Sequence, residues 1–233
     1  MKRTISLSIV AVMASFIMSS LSSAQESKWT RLVAESGNVL YEIQQMPDKS
    51  VPRDLLERAR GIAIFPSTVS AGFGIGGKYG QGVILARDPV TGRWSPPAVF
   101  TLIGGSVGWQ IGGQATDIVL LIMSGRSVEG LLSSKFKLGA DAAVAAGPLG
   151  RDAEAAVDAQ LKGGILSYSR SRGLFIGVKL EGAALNQHRD ANALLYGGDE
   201  VSAREILIER KVKMPRSADT LLTVLNKYPF SDR

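Results

Sequence analysis

The amino-acid sequence predicts an α+β fold: a curved, barrel-like antiparallel sheet in the middle of the chain with helices at both ends. Apolar residues recur at helical spacing near both termini, whereas β-type runs punctuated by glycine fill the stretch from Gly61 to about Gly182. With 233 residues, 45% of them hydrophobic and 21% charged, the chain can bury a substantial core. No long linker, low-complexity tract or fixed-period repeat divides it, so one domain over residues 25–233 is the simplest organisation.

The first stretch, "MKRTISLSIVAVMASFIMSSLSSA", joins a basic start at Lys2 and Arg3 to an apolar run from about Ile5 to Met18. Ser22 and Ala24 then stand at the spacing that signal-peptide cleavage requires. Residues 1–24 are therefore expected to be a secretory signal, leaving a chain that begins near Gln25 and works in the periplasm or outside the cell. The run holds several serines and is shorter than the roughly 20 residues of a spanning helix.

"SKWTRLVAESGNVLYEIQQM" places Trp29, Leu32, Val33, Leu40, Ile43 and Met46 near helical spacing, an amphipathic helix ending before Pro47. Such a face covers a core more often than it enters a bilayer. A short helix follows over "VPRDLLERAR", with Ser50 as its cap, Pro52 in its first turn and Gly61 as its stop. The runs "GIAIF", "GFGIGGKYGQGVILAR", "AVFTLIGGSVGWQIGG" and "TDIVLLIMS" read as antiparallel strands, with turn chemistry in "RDPVTGRWSPP". Glycine within a strand marks a bulge, a bend or the close approach of another backbone, which is why the sheet should curve. "SVEGLLSS" and "PLGRDAEAAVDAQLKGG" interrupt the strands. Beyond them, Ser202 and Glu205 have capping-box spacing ahead of "ILIERK", and Ser217 can cap "ADTLLTVLNKY".

Composition narrows the chemistry. There is no cysteine, so neither disulfides nor a cysteine nucleophile enter, and His188 is the single histidine, which excludes a cluster of His and Cys metal ligands. His188 sits in a polar stretch without a G-x-S-x-G elbow and reads as a surface residue. "GFGIGG" matches a dinucleotide-binding pattern, but the chain continues as a strand where a helix is needed. Glu154 and Asp158 lie one helical turn apart with Arg151 and Lys162 placed to pair with them, a solvated helix face. No catalytic set, metal site or cofactor is expected. The formal charge of +6 falls to +4 without Lys2 and Arg3, a mild bias towards anionic partners.

"SYSRSRGLFIGVKLEGA", residues 167–183, reads as a hairpin with a cationic tip. A three-residue loop of Ser171, Arg172 and Gly173 would set Arg170 beside Leu174, Tyr168 opposite Ile176 and Leu166 opposite Val178. The apolar side would be core. The other would carry Ser167, Ser169, Phe175, Gly177 and Lys179, with two guanidinium groups at the tip suited to forked hydrogen bonds with phosphate.

This hairpin resembles the SYLF lipid-binding domain family, together with "ARGIAIFP", "GFGIGGKYGQGV", "GGSVGWQIGGQATDIVLLIMS", "FKLGADAAVAAGPLGRDAEA" and "AREIL" in the same order. The likeness runs from about Trp29 to Tyr228 and is closest to an exported, single-domain bacterial branch. It implies an α+β domain that binds phosphoinositides and other anionic lipids without catalysis. Eukaryotic members of the family often carry SH3 or FYVE modules and are linked to actin; neither module is present in this sequence. The expected partner is thus anionic phospholipid or a membrane surface, not nucleic acid, held by Arg170, Arg172 and Lys179 with Lys135, Lys137 and Arg151. Actin or another protein partner has no support of its own in these residues. The rival reading is a structural or adhesive envelope protein whose sheet edges pair with another protein.

Overall fold

Two long strands set the architecture. The computed structural model describes residues 28–46, 50–133, 135–149, 164–171, 174–177 and 180–231. Among them, β1 (Gly61–Ala86) and β2 (Ala98–Ile122) pair antiparallel from Gly61 opposite Ile122 to Ile84 opposite Ala98. The register shifts between Phe65 and Thr68 and between Gly72 and Gly74, so the ribbon bends at bulges. It doubles back far enough that the two ends of β1 meet, the Arg87 N–H donating to the Arg60 carbonyl at 2.8 Å. Glycine permits this approach. A Cβ at Gly82 would lie 2.2 Å from the Ile64 carbonyl oxygen and 2.8 Å from Phe65 Cα.

Strands β3 (Phe136–Lys137), β4 (Val144–Ala146), β5 (Ile165–Ser171), β6 (Leu174–Gly177) and β7 (Ala184–Gln187) complete a seven-stranded sheet among the described residues. Its path is β3-β7-β2-β5-β4, with β1 also on β2 and β6 also on β5, and it curls into a half-barrel. One pair departs from the expected antiparallel pattern: β4 runs parallel to β5. Their separation in sequence, from Ala146 to Ile165, gives the connection length that a parallel pair needs.

Side chains alternate between two cores. On one face Ile62, Ile64, Val83, Leu85, Val119, Leu121, Leu166 and Tyr168 are buried. They lie beneath Val33, Leu40 and Ile43 of helix α1 (28–44), Leu55 and Leu56 of α2 (Arg53–Arg58), and Leu221, Val224 and Leu225 of α6 (Asp219–Leu225). On the other face Phe65, Ile84, Phe100, Leu102, Ile118 and Leu120 pack with Val128 of α3 (Gly125–Gly130), Phe136, Leu185 and Ile206 of α5 (Ala203–Leu207). Trp29, Val99 and Ala191 of α4 (Arg189–Leu195) form a third, small cluster. The amphipathic stripe of α1 is therefore spent on the core. No helix among the described residues is long and apolar enough to cross a membrane.

Two expected caps fail and one forms. The first residue of α2 is Arg53 and its N-cap is Pro52, which makes no side-chain cap bond, so Ser50 lies too far upstream to cap it. Ser217 falls inside a 3-10 turn, Arg216–Ala218, rather than at the start of α6, and its hydroxyl is buried without a hydrogen-bond partner. Ser202 and Glu205 make the expected capping box at α5. The Ser202 backbone N–H, with help from its hydroxyl and Lys211, holds the Glu205 carboxyl at about 2.

Candidate functional site

The hairpin of β5 and β6 differs from its expected form in register and in burial. Ser171 pairs with Leu174 and Tyr168 with Gly177, one step from the expected pairing. The reason is the ladder on the other side of β5, where the rungs run from Ile165 opposite Ile122 to Arg170 opposite Asp117 and carry the strand on to Ser171. Held between β2 on one side and β4 and β6 on the other, β5 is an interior strand. Its residues Ile165 to Ser169 are buried, so Ser167 and Ser169 do not form an open polar face. The Ser167 hydroxyl donates to the Ala145 carbonyl at 3.1 Å.

Arg170 is not an exposed tip residue. Its side chain is 18% exposed, and its Nε and Nη2 donate to Asp117 Oδ2 at 2.9 and 2.6 Å while Nη1 donates to Glu42 of α1. Burial disfavours its charge, but the hydrogen bonds to Glu42 and Asp117 outweigh that and raise its pKa. Asp117 Oδ1 in turn accepts from the Ser67 N–H at 2.9 Å, and Ser67 sits at the β1 bulge with φ of 48°. Arg170 thus ties α1 to β2 and to the bend of β1, with a donor of each of its three nitrogens engaged. Arg172, Lys179 and Arg151 lie outside the described residues.

Lys135 and Lys137 are placed differently. In β3, Phe136 points into the second core while Lys137 is exposed, and Lys135, two residues earlier, is exposed as well. Lys137 pairs with Ala184, which pairs with Ile103, which pairs with Tyr79. This row across four strands lies on the face that α1, α2 and α6 cover elsewhere, at a place where no described helix reaches it. Tyr79 is 51% and Ile103 49% exposed. The adjoining row holds Gln81, Thr101 and Asn186. None of the residues in the two rows is acidic, and neither lysine ammonium makes an ion pair among the described residues. Asp141, nearby in the turn after β3, uses Oδ2 to accept the Lys137 backbone N–H at 2.6 Å.

Beside the rows an open cleft of about 570 Å³ is lined by Thr101, Ile103 and Leu132, and by residues 186–190. His188, at its edge, is structural rather than a free surface residue. Its Nδ1 caps α4 by accepting the Ala191 N–H at 3.4 Å, and its ring meets Trp29 edge-on at 4.9 Å. Burial lowers its pKa and Lys28 adds to this, against the pull of Asp190. Among the described residues no group of three or more His, Asp or Glu side chains is placed to hold a metal.

Sequence reasoning missed Tyr79 and Ile103. A signal was present in "KYGQG", where the inward positions 80 and 82 are glycine and turn Tyr79 and Gln81 outward. Its meaning depends on β1 doubling back, which periodicity alone does not reveal.

The family model described as Ysc84, Las17-binding protein actin regulator, matches residues 103–228, from the Ile103 row to the C-terminal helix. The chain belongs to this family. It is 38% identical to Protein YSC84 of Saccharomyces cerevisiae over 187 residues, 79% of this chain and 39% of the relative. It is 39% identical to LAS seventeen-binding protein 3 of the same yeast over 189 residues, 80% of this chain and 40% of the relative. SH3 domain-containing YSC84-like protein 1 of Xenopus laevis is 35% identical over 183 residues, 78% of this chain and 54% of that protein. The chain thus spans between two fifths and about half the length of these family members, one of which is named as a binding protein.

Proposed function

We propose that this protein binds anionic phospholipid at a membrane surface, without catalysis, and that it does so in the periplasm or outside the cell after loss of residues 1–24. The observation that carries the reading is the exposed pair Lys135 and Lys137, whose ammonium groups make no ion pair among the described residues, at the edge of sheet rows that hold no acidic side chain. Two ammonium groups so placed attract phosphate without first breaking an internal ion pair, which Arg170 would have to do. The resemblance of its sequence motifs to the SYLF lipid-binding domain family supports the same reading. The hairpin cations Arg172 and Lys179 remain candidates for the same ligand.

Flotation with phosphatidylcholine vesicles, with and without phosphatidylglycerol, tests it. Wild type should float with the anionic vesicles and release as salt rises, because exposed charges are screened within about 8–10 Å at physiological ionic strength. Lys135→Gln with Lys137→Gln should weaken binding about tenfold or more, since each lysine near an anionic surface contributes about 1 kcal/mol. Equal flotation with neutral vesicles would refute the electrostatic reading.

A second reading has one observation in its favour: the family model is described as a Las17-binding actin regulator, and one yeast relative is named a LAS seventeen-binding protein. Under it, the sheet surface docks a protein. Capture of a protein partner that survives excess anionic vesicles would favour this reading over the first.

A further inference from the structure

We infer that the bare end of the β1–β2–β7–β3 face is the surface the protein lays on an anionic bilayer. Tyr79 and Ile103 enter the interfacial layer while Lys135 and Lys137 meet the phosphates. The inference rests on the lipid-binding reading above and adds the orientation of the bound molecule, together with an apolar contact that a soluble anion does not provide.

The sheet face itself makes the case. At one end, Val83, Val119 and Leu121 of this face are buried under α1, α2 and α6. Along β2 the cover ends in steps: Val99 is fully buried beneath Trp29, Thr101 is half-buried and Ile103 is half-exposed. Ile103 and Tyr79 stand opposite each other on adjacent strands, so their exposed surfaces form one apolar spot. Lys137 lies two strands beyond Ile103, about 10 Å away at roughly 4.8 Å per strand, with the small Ala184 between them. Gly77 and Gly105, exposed and paired just past Tyr79 and Ile103, leave the approach unobstructed.

An aromatic ring with a polar tip and an aliphatic side chain on one face, with Lys137 in the same row and the exposed Lys135 just before its strand, match the layering of a bilayer surface, acyl boundary below and phosphate above. The principal alternatives are largely occupied. Val33, Val39, Leu40 and Ile43 of α1 are buried, leaving Tyr41 exposed on that helix, and the guanidinium of Arg170 is engaged by Asp117 and Glu42. Val90, though 91% exposed, stands in the β1–β2 connection at the far end of that half of the ribbon.

The chain contains no cysteine, so Ile103→Cys or Val90→Cys gives a single thiol for an environment-sensitive dye. With phosphatidylcholine–phosphatidylglycerol vesicles carrying an acyl-chain quencher, the dye at position 103 should be quenched and the dye at 90 should not. Without labels, Tyr79→Ser combined with Ile103→Ser should lower vesicle affinity about tenfold at unchanged melting temperature and unchanged salt dependence. A dye at 103 that stays unquenched while unlabelled wild type floats would overturn the orientation and leave lipid binding standing. Failure of unlabelled wild type to float would overturn both. Self-association that the serine pair abolishes, in the absence of vesicles, would assign the face to a second copy instead and overturn the inference.

Discussion

Removing the guanidinium of Arg170 should cost fold stability before it costs any ligand. In Arg170→Ala, Asp117 loses two charge-assisted hydrogen bonds at a site where its own side chain is 15% exposed, keeping only the Ser67 N–H. A hydrogen bond to a charged group contributes about 1.5–3 kcal/mol. Glu42 is 56% exposed and should contribute under about 1 kcal/mol. The two Asp117 contacts share one oxygen and are not additive, so the expected loss is about 2–3 kcal/mol. For a chain of this size that lowers Tm by roughly 4–12 °C. Thermal unfolding followed by circular dichroism measures it, with Glu42→Gln as a companion expected to shift Tm by no more than about 4 °C. Arg170→Lys should fall between wild type and alanine, because an ammonium keeps the charge but loses the fork. If Arg170→Ala melts within about 1 °C of wild type, the tie from β5 to Asp117 and α1 contributes nothing and the reasoning fails.

Gly82→Ala should destabilise by about 3 kcal/mol or more, since its Cβ would overlap backbone at 2.2 Å, whereas Gly77→Ala, with nothing within 4 Å, should leave Tm almost unchanged. Similar melting of the two variants would show that β1 does not double back as described. Stability should also fall as the medium is acidified from about pH 7.5 to about pH 5.5. The fold lowers the pKa of His188, so the unfolded chain binds its proton first, near 6.5, and stability present above that value is lost as pH drops towards the folded pKa. His188→Asn keeps a cap for α4 and removes this titration, so its Tm should change less over the same range than that of wild type.

How far the sequence alone reaches can be seen element by element. Local chemistry determined the helix over 28–44, the Ser202–Glu205 capping box and the glycine-marked bends of β1, because each depends on residues within a few positions of one another. Motif order also determined the family. Where a residue's role depended on a distant segment, the sequence was silent. Arg170 reads as a solvent-facing cation in its own hairpin, and its partners Asp117 and Glu42 lie 53 and 128 residues away. Ser50 and Ser217 had the right residue type for caps, but the packing of α2 and α6 started those helices elsewhere. Tyr79, Ile103 and Lys137 are spread over nearly sixty positions and become neighbours only through three strand pairings. Periodicity assigns a side chain to one face of its strand. Only the tertiary structure decided which part of that face the helices cover and which part stays exposed.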